Sequence, residues 1–412
     1  MLKCSIIQPM SSSLVKSMRA MTTGLACGLF VAWVLLPFDA SALQVSGLYS
    51  HRVKVANESD SERRRAFTEA LAAVITKVTG DERWLLDPAI VAAVARAQSF
   101  VEAVSYESEA VVVPFVPANT ALSAEIDYGS TAQLGPQRPV QTVQAPPAAL
   151  TTTIEQRYIN VNFSPALINE LLVQANIPVW GSNRPSVLVW MVLQNEVGER
   201  TFLSNESNPE IVDIIQAFAK ERGLPIIFPV FDFEDRRNLP LDVIWALDLE
   251  AMRSGSARYG ADSILTGRLH FTAGGELVGL WQFDFQGDSE RFDGFDSDLQ
   301  SYLAKPLGRV TTQLANYFAI VPETSASQTI VLRVEGMQDL QDYSALINYV
   351  NSLGLVEAVT MGSIDGQRMD INVSLLGDTL QLSELIALDR DLLPIQRSDV
   401  ASASLLHYRW TR

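Results

Sequence analysis

Residues 171–193 read LLVQANIPVWGSNRPSVLVWMVL. A helix ends at Asn176, a Pro/Gly/Asn turn runs from Pro178 to Pro185, and an unbroken apolar run starts at Val187. A continuous apolar strand suits burial on both faces. Two α/β units, one on each side, must therefore meet near this turn. Trp180, Asn183, Arg184 and Trp190 are residue types favoured at binding hot spots, and they form the candidate binding surface. A structural alternative weighs more. In it Gly181 supplies an unusual backbone angle, the two tryptophans pack the junction, and Arg184 bonds loop carbonyls.

The units on either side follow from periodicity. Before the turn, Tyr49, His51, Val53 and Val55 alternate along a strand. Ser59 and Glu62 then form a capping box ahead of a helix with the stripe Phe67, Leu71, Val74 and Val78. Gly80 suits the left-handed residue that ends a helix. Residues 114–149 hold six prolines and a single basic residue, Arg138, and read as a flexible insertion. After the turn come a helix from Asn208-Pro209, a strand at Ile226–Phe231, one helix over 240–253, and a hairpin through Ala273-Gly274-Gly275. A long helix over 298–319 follows, expected to kink at Pro306. The last third reads β-α-β-β-α-β with an Asp365-Gly366 turn, a ferredoxin-like order.

The expected fold class is therefore mixed α/β and α+β. It has two α/β sandwich-like units and a small C-terminal ferredoxin-like domain. The expected boundaries are a signal peptide at 1–42, an N-terminal unit at 43–180 carrying the 114–149 insertion, a central unit at 181–322, a ferredoxin-like domain at 328–395, and a tail at 396–412 with a possible last strand.

Composition narrows the compartment. The 412 residues are 48% apolar and 19% charged, which fits neither disorder nor a polytopic membrane protein. Lys16 and Arg19, the apolar run at 21–36, Pro37 and Ala40-Ser41-Ala42 have the pattern of a secretory signal. Its removal takes away three positive charges and one negative, moving the net charge from −16 to −18. Such a chain lacks the basic footprint of a nucleic-acid binder. Both cysteines, Cys4 and Cys27, lie in this leader, so the expected mature chain has no disulfide and no thiolate site. The expected location is periplasmic without a transmembrane span. An uncleaved signal anchoring the chain to the inner membrane is the alternative.

Three stretches carry a resemblance to a known family: RVKVANESDSERRRAFTEALAAVITKVTGD (52–81), IPVWGSNRPSVLVWMVL (177–193) and GADSILTGRL (260–269) with LWQFDF (280–285). Over roughly residues 45–320 the chain resembles domain-of-unknown-function family 2066, found in envelope proteins of gram-negative bacteria. The resemblance implies an envelope location and an α/β fold, and no activity.

No motif specifies a reaction. His51, His270 and His407 are isolated, and no paired-histidine metal motif is present. The acidic stretch Asp288, Glu290, Asp293, Asp296 and Asp298 reads as a solvated loop leading into helix-terminal carboxylates rather than a calcium loop. No nucleophile elbow or phosphate loop appears. No catalytic residue, cofactor or metal ligand is assigned. The reading leans to a non-enzymatic accessory protein that binds another envelope protein. The alternatives are an exported hydrolase using carboxylates and a subunit of an outer-membrane assembly. Oligomeric state is open.

Overall fold

The computed structural model describes residues 45–114, 151–320, 328–389, 391–395 and 404–411. The expected signal at 1–42, the insertion beyond Pro114 and residues 396–403 of the expected tail lie outside them. Ala42–Arg412 fall in one compact unit. The fold is mixed α+β, with three sheets among the described residues.

The first sheet has the order β1-β3-β2, from β1 (Ser50–Val55), β2 (Val101–Pro114) and β3 (Thr151–Phe163). Its helices are α1 (Asp60–Thr79), α2 (Pro88–Val94) and α3 (Pro165–Gln174). Phe67, Leu71, Val74 and Val78 of α1 are all buried, in one cluster with Val53, Val55, Ile159 and Val161. Each such side chain contributes about 1.5–3 kcal/mol on leaving water. Ser59 caps α1, accepting from the Glu62 N–H at 3.4 Å. The Glu62 carboxylate reaches back to the Ala56 N–H (3.1 Å) instead of that of Ser59, which donates to Asn57. Gly80 ends α1 at φ +74°. A Cβ there would lie 2.3 Å from Ala315 Cβ and 2.8 Å from the Trp180 ring, so backbone angle and close packing both require glycine.

The second sheet runs β5-β4-β7-β8-β9, with β6 also pairing β4. Its strands are β4 (Val187–Gln194), β5 (Arg200–Phe202), β6 (Ile226–Ile227), β7 (Ser263–Phe271), β8 (Leu277–Phe285) and β9 (Asp288–Asp296). β4 is buried from Val187 through Leu193, parallel to β7 and covered on both faces. The helices are α4 (Pro209–Arg222), α5 (Phe233–Asn238), α6 (Leu241–Ala246), α7 (Leu249–Ser256) and α8 (Leu299–Phe318).

Three local expectations change here. The expected helix at 240–253 is two, because Leu247 turns left-handed at φ +54° and Asp248 caps a new start at the Ala251 N–H. The expected strand Ile226–Phe231 narrows to Ile226–Ile227, with Phe231 at φ +53°. The acidic stretch at 288–296 is no loop but β9, an edge strand against β8. Charged side chains suit an edge because they discourage further pairing. Only Asp298 takes the helix-capping role, at α8.

The third sheet has the order β11-β12-β10-β14-β13. It comprises β10 (Gln328–Glu335), α9 (Leu340–Ser352), β11 (Val356–Asp365), β12 (Arg368–Leu375), α10 (Thr379–Asp389), β13 (Leu392–Pro394) and β14 (Leu405–Trp410). The β-α-β-β-α-β order holds, with one addition. After α10 the chain first forms β13 at the edge, then inserts β14 between β13 and β10, parallel to β10. One apolar cluster joins this sheet to the second: Trp180, Leu314 and Ile320 share it with Ile330, Leu353 and Leu355.

Candidate functional site

The turn at 178–185 is a junction in this structure. Val179 and Ile320 exchange backbone bonds, the Trp180 N–H donates to Val78 O, and the Val45 N–H donates to Ser182 O. All four residues of the expected surface are buried: Trp180, Asn183, Arg184 and Trp190. Trp190 packs edge-on against Phe231 and Tyr259 and donates its Nε1 proton to Ser256 (2.9 Å). Asn183 donates to Leu385 O (2.8 Å) and Asp389 Oδ2 (2.7 Å), tying the turn to α10.

Arg184 is the centre of the junction, and all five of its N–H donors are used. Nε donates to Gly181 O, Nη1 to the carbonyls of Arg222 and Gly223, and Nη2 to those of Lys77 and Trp180, at 2.7–3.0 Å. Lys77 lies in the last turn of α1, and Arg222 and Gly223 end α4. The guanidinium thus meets the negative poles of two helices, whose last carbonyls lack partners within the helix. It also stacks on Trp180, 4.1 Å from the ring centroid. Burial, with repulsion from Arg222, brings its pKa down to about 9, so it remains charged at neutral pH. Burial, with repulsion from Arg184, likewise lowers Lys77 to about 8. Its ammonium donates to Gly47 O and Ser50 O.

An open crevice of about 620 Å³ lies between α1, α4 and α8. Ala72 and Ala73 of α1, Ala217 and Phe218 of α4, and Leu303 and Ala304 of α8 give it an apolar floor. Its rim carries Glu69, Glu82, Asp213 and Glu221. Arg222 closes one end, its Nη1 paired with Glu82 and its Nη2 donating to Gly80 O. His51 also lines the crevice. Burial, with repulsion from Lys77, lowers its pKa to about 4, so it is neutral at pH 7.

The crevice was readable in part. Glu69, Ala72, Ala73 and Thr76 follow helical spacing on a different face from the Phe67–Val78 stripe. Ile214 and Phe218 of α4 are half-buried: they pack against the core cluster and also line the crevice. Among the described residues no group of three His, Cys, Asp or Glu side chains is placed to hold a metal ion.

A model for a domain of unknown function, DUF8605, matches residues 42–181. This overturns the resemblance to family 2066, for which nothing speaks. Of the strings that suggested it, 177–193 is made largely of buried turn and strand residues whose identity follows from packing. Such strings discriminate poorly between α/β families. No curated protein matches the chain. Similar solved structures include the LpoB C-terminal domain from Salmonella enterica, with 13% identity and TM-score 0.20, covering 28% of this chain and 83% of that one. Lipoprotein GNA1162 from Neisseria meningitidis has 14% identity and TM-score 0.20, covering 32% and 97%. Both likenesses are weak. Among the described residues no helix is long and apolar enough to cross a membrane.

Proposed function

We propose that the protein is an exported accessory module of the cell envelope that binds a partner protein and catalyses no reaction. The crevice carries this reading. Three helix faces enclose an apolar floor whose alanines let another backbone approach closely, and four carboxylates line the rim. That arrangement suits an amphipathic helix laid into a groove, with basic residues along its flanks. The secretory pattern at 1–42 supports an encounter in the periplasm.

The test is in-cell photocrosslinking from position 300, where Gln300 lines the crevice, with the adduct identified by mass spectrometry. A single envelope protein should be captured, and Ala217→Trp, which fills the floor, should abolish its capture while the fold persists. Capture unchanged by Ala217→Trp refutes the reading. The carboxylates of the rim favour one second reading, a hydrolase working through paired acids. It requires turnover of a chromogenic glycoside that Glu69→Gln removes.

A further inference from the structure

We propose that the free edge of β2 accepts an extended basic segment of another protein as an added strand. This surface shares no lining residue with the crevice.

β2 stands at the end of its sheet and, among the described residues, pairs only with β3. Its ladder runs from Val101 opposite Phe163 to Pro114 opposite Thr151. β1 stops at Val55 opposite Arg157, so beyond it β2 and β3 continue as a two-stranded ribbon. Such a ribbon is marginal alone, and its open edge is a row of N–H and C=O groups that can template another strand.

The two faces of this edge differ, and together they define the occupant. Val104 and Tyr106 are in register with buried Val161 and Ile159, yet each is 38% exposed. An open groove of about 650 Å³ lies over them, with Phe67 and Val101 in its lining and Arg64 at its rim. Inward side chains of an added strand would therefore be apolar, continuing this row, while Arg63 and Arg64 outweigh the one acid there, Asp60, and disfavour a cation. On the opposite face β2 presents Ser105, Glu107 and Glu109, and Val101–Pro114 contains no Lys or Arg. A single cation, Arg52, serves both carboxylates, 3.5 Å from Glu107 and 3.0 Å from Glu109. A second copy of β2 would set these acids against each other, which directly opposed strands do not favour. A segment alternating basic and apolar residues satisfies both faces at the two-residue period of a strand.

The test uses a short peptide alternating lysine and valine, and a control alternating glutamate and valine, added to the whole protein. Fluorescence anisotropy should show the lysine peptide binding about tenfold or more tighter, with the difference shrinking in high salt. Residue-resolved hydrogen exchange should show new protection at alternate amides of residues 103–109. Ser105→Lys, at an exposed outward position, should weaken binding about fivefold while leaving circular dichroism unchanged. Equal binding of the two peptides overturns the proposal. So does protection outside β2, or full protection of these amides before any peptide is added.

Discussion

Replacing Arg184 with methionine tests the junction most directly. Methionine keeps much of the length and removes all five donors. Five carbonyls on three segments then lose their partner: Lys77, Trp180, Gly181, Arg222 and Gly223. A net hydrogen bond contributes about 1 kcal/mol, and those to a charged donor about 1.5–3 kcal/mol. Against this stands the desolvation of a guanidinium that is only 3% exposed and has no carboxylate on it. The balance is a loss of about 3–5 kcal/mol, since water can reach some of the freed carbonyls. The unfolding temperature should fall by about 4–6 °C. Arg184→Lys should recover less than half, because a compact ammonium cannot span both helix ends. Urea unfolding followed by tryptophan fluorescence measures the loss. Hydrogen exchange at residues 77–80 and 222–224 shows whether both helix ends loosen together. A loss for Arg184→Met below about 1 kcal/mol with an unchanged urea slope would refute the argument.

Gly80→Ala should destabilise by about 2–4 kcal/mol, since its Cβ meets Ala315 and Trp180 at a left-handed backbone position; chemical denaturation reads this directly. His51 should make stability fall on acidification. The unfolded chain takes up a proton near pH 6.5 that the native imidazole accepts only near 4, so stability present above pH 6.5 is lost through that window. His51→Gln should flatten that part of the pH–stability curve, and an unchanged curve would exclude the assignment. Asn183→Ala should cost about 1–3 kcal/mol and raise exchange in α10 before the rest of the molecule, because the Asp389 carboxylate loses a donor.

Chain-local physics was legible from the amino acids alone. The mixed α+β class, the buried β4 and the α1 core stripe rest on periodicity, which neighbours in sequence reveal. The Gly80 ending and the Asp365-Gly366 hairpin rest on backbone chemistry, equally local. β9 escaped because its acidic residues describe a strand edge only once β8 lies beside it, and the break at Leu247 escaped because apolar spacing runs straight through it. The roles at the turn needed the tertiary structure. Trp180, Asn183, Arg184 and Trp190 have the composition of a binding surface; only the arrival of α1, α4 and α10 buries the first three, and only α7 with Phe231 and Tyr259 covers Trp190. Arg184 finds carbonyls from residues 77, 222 and 223, far apart in the chain, because two helices end at the same point. The crevice and the free β2 edge likewise exist only once separate elements are packed, so no stretch of sequence could display them.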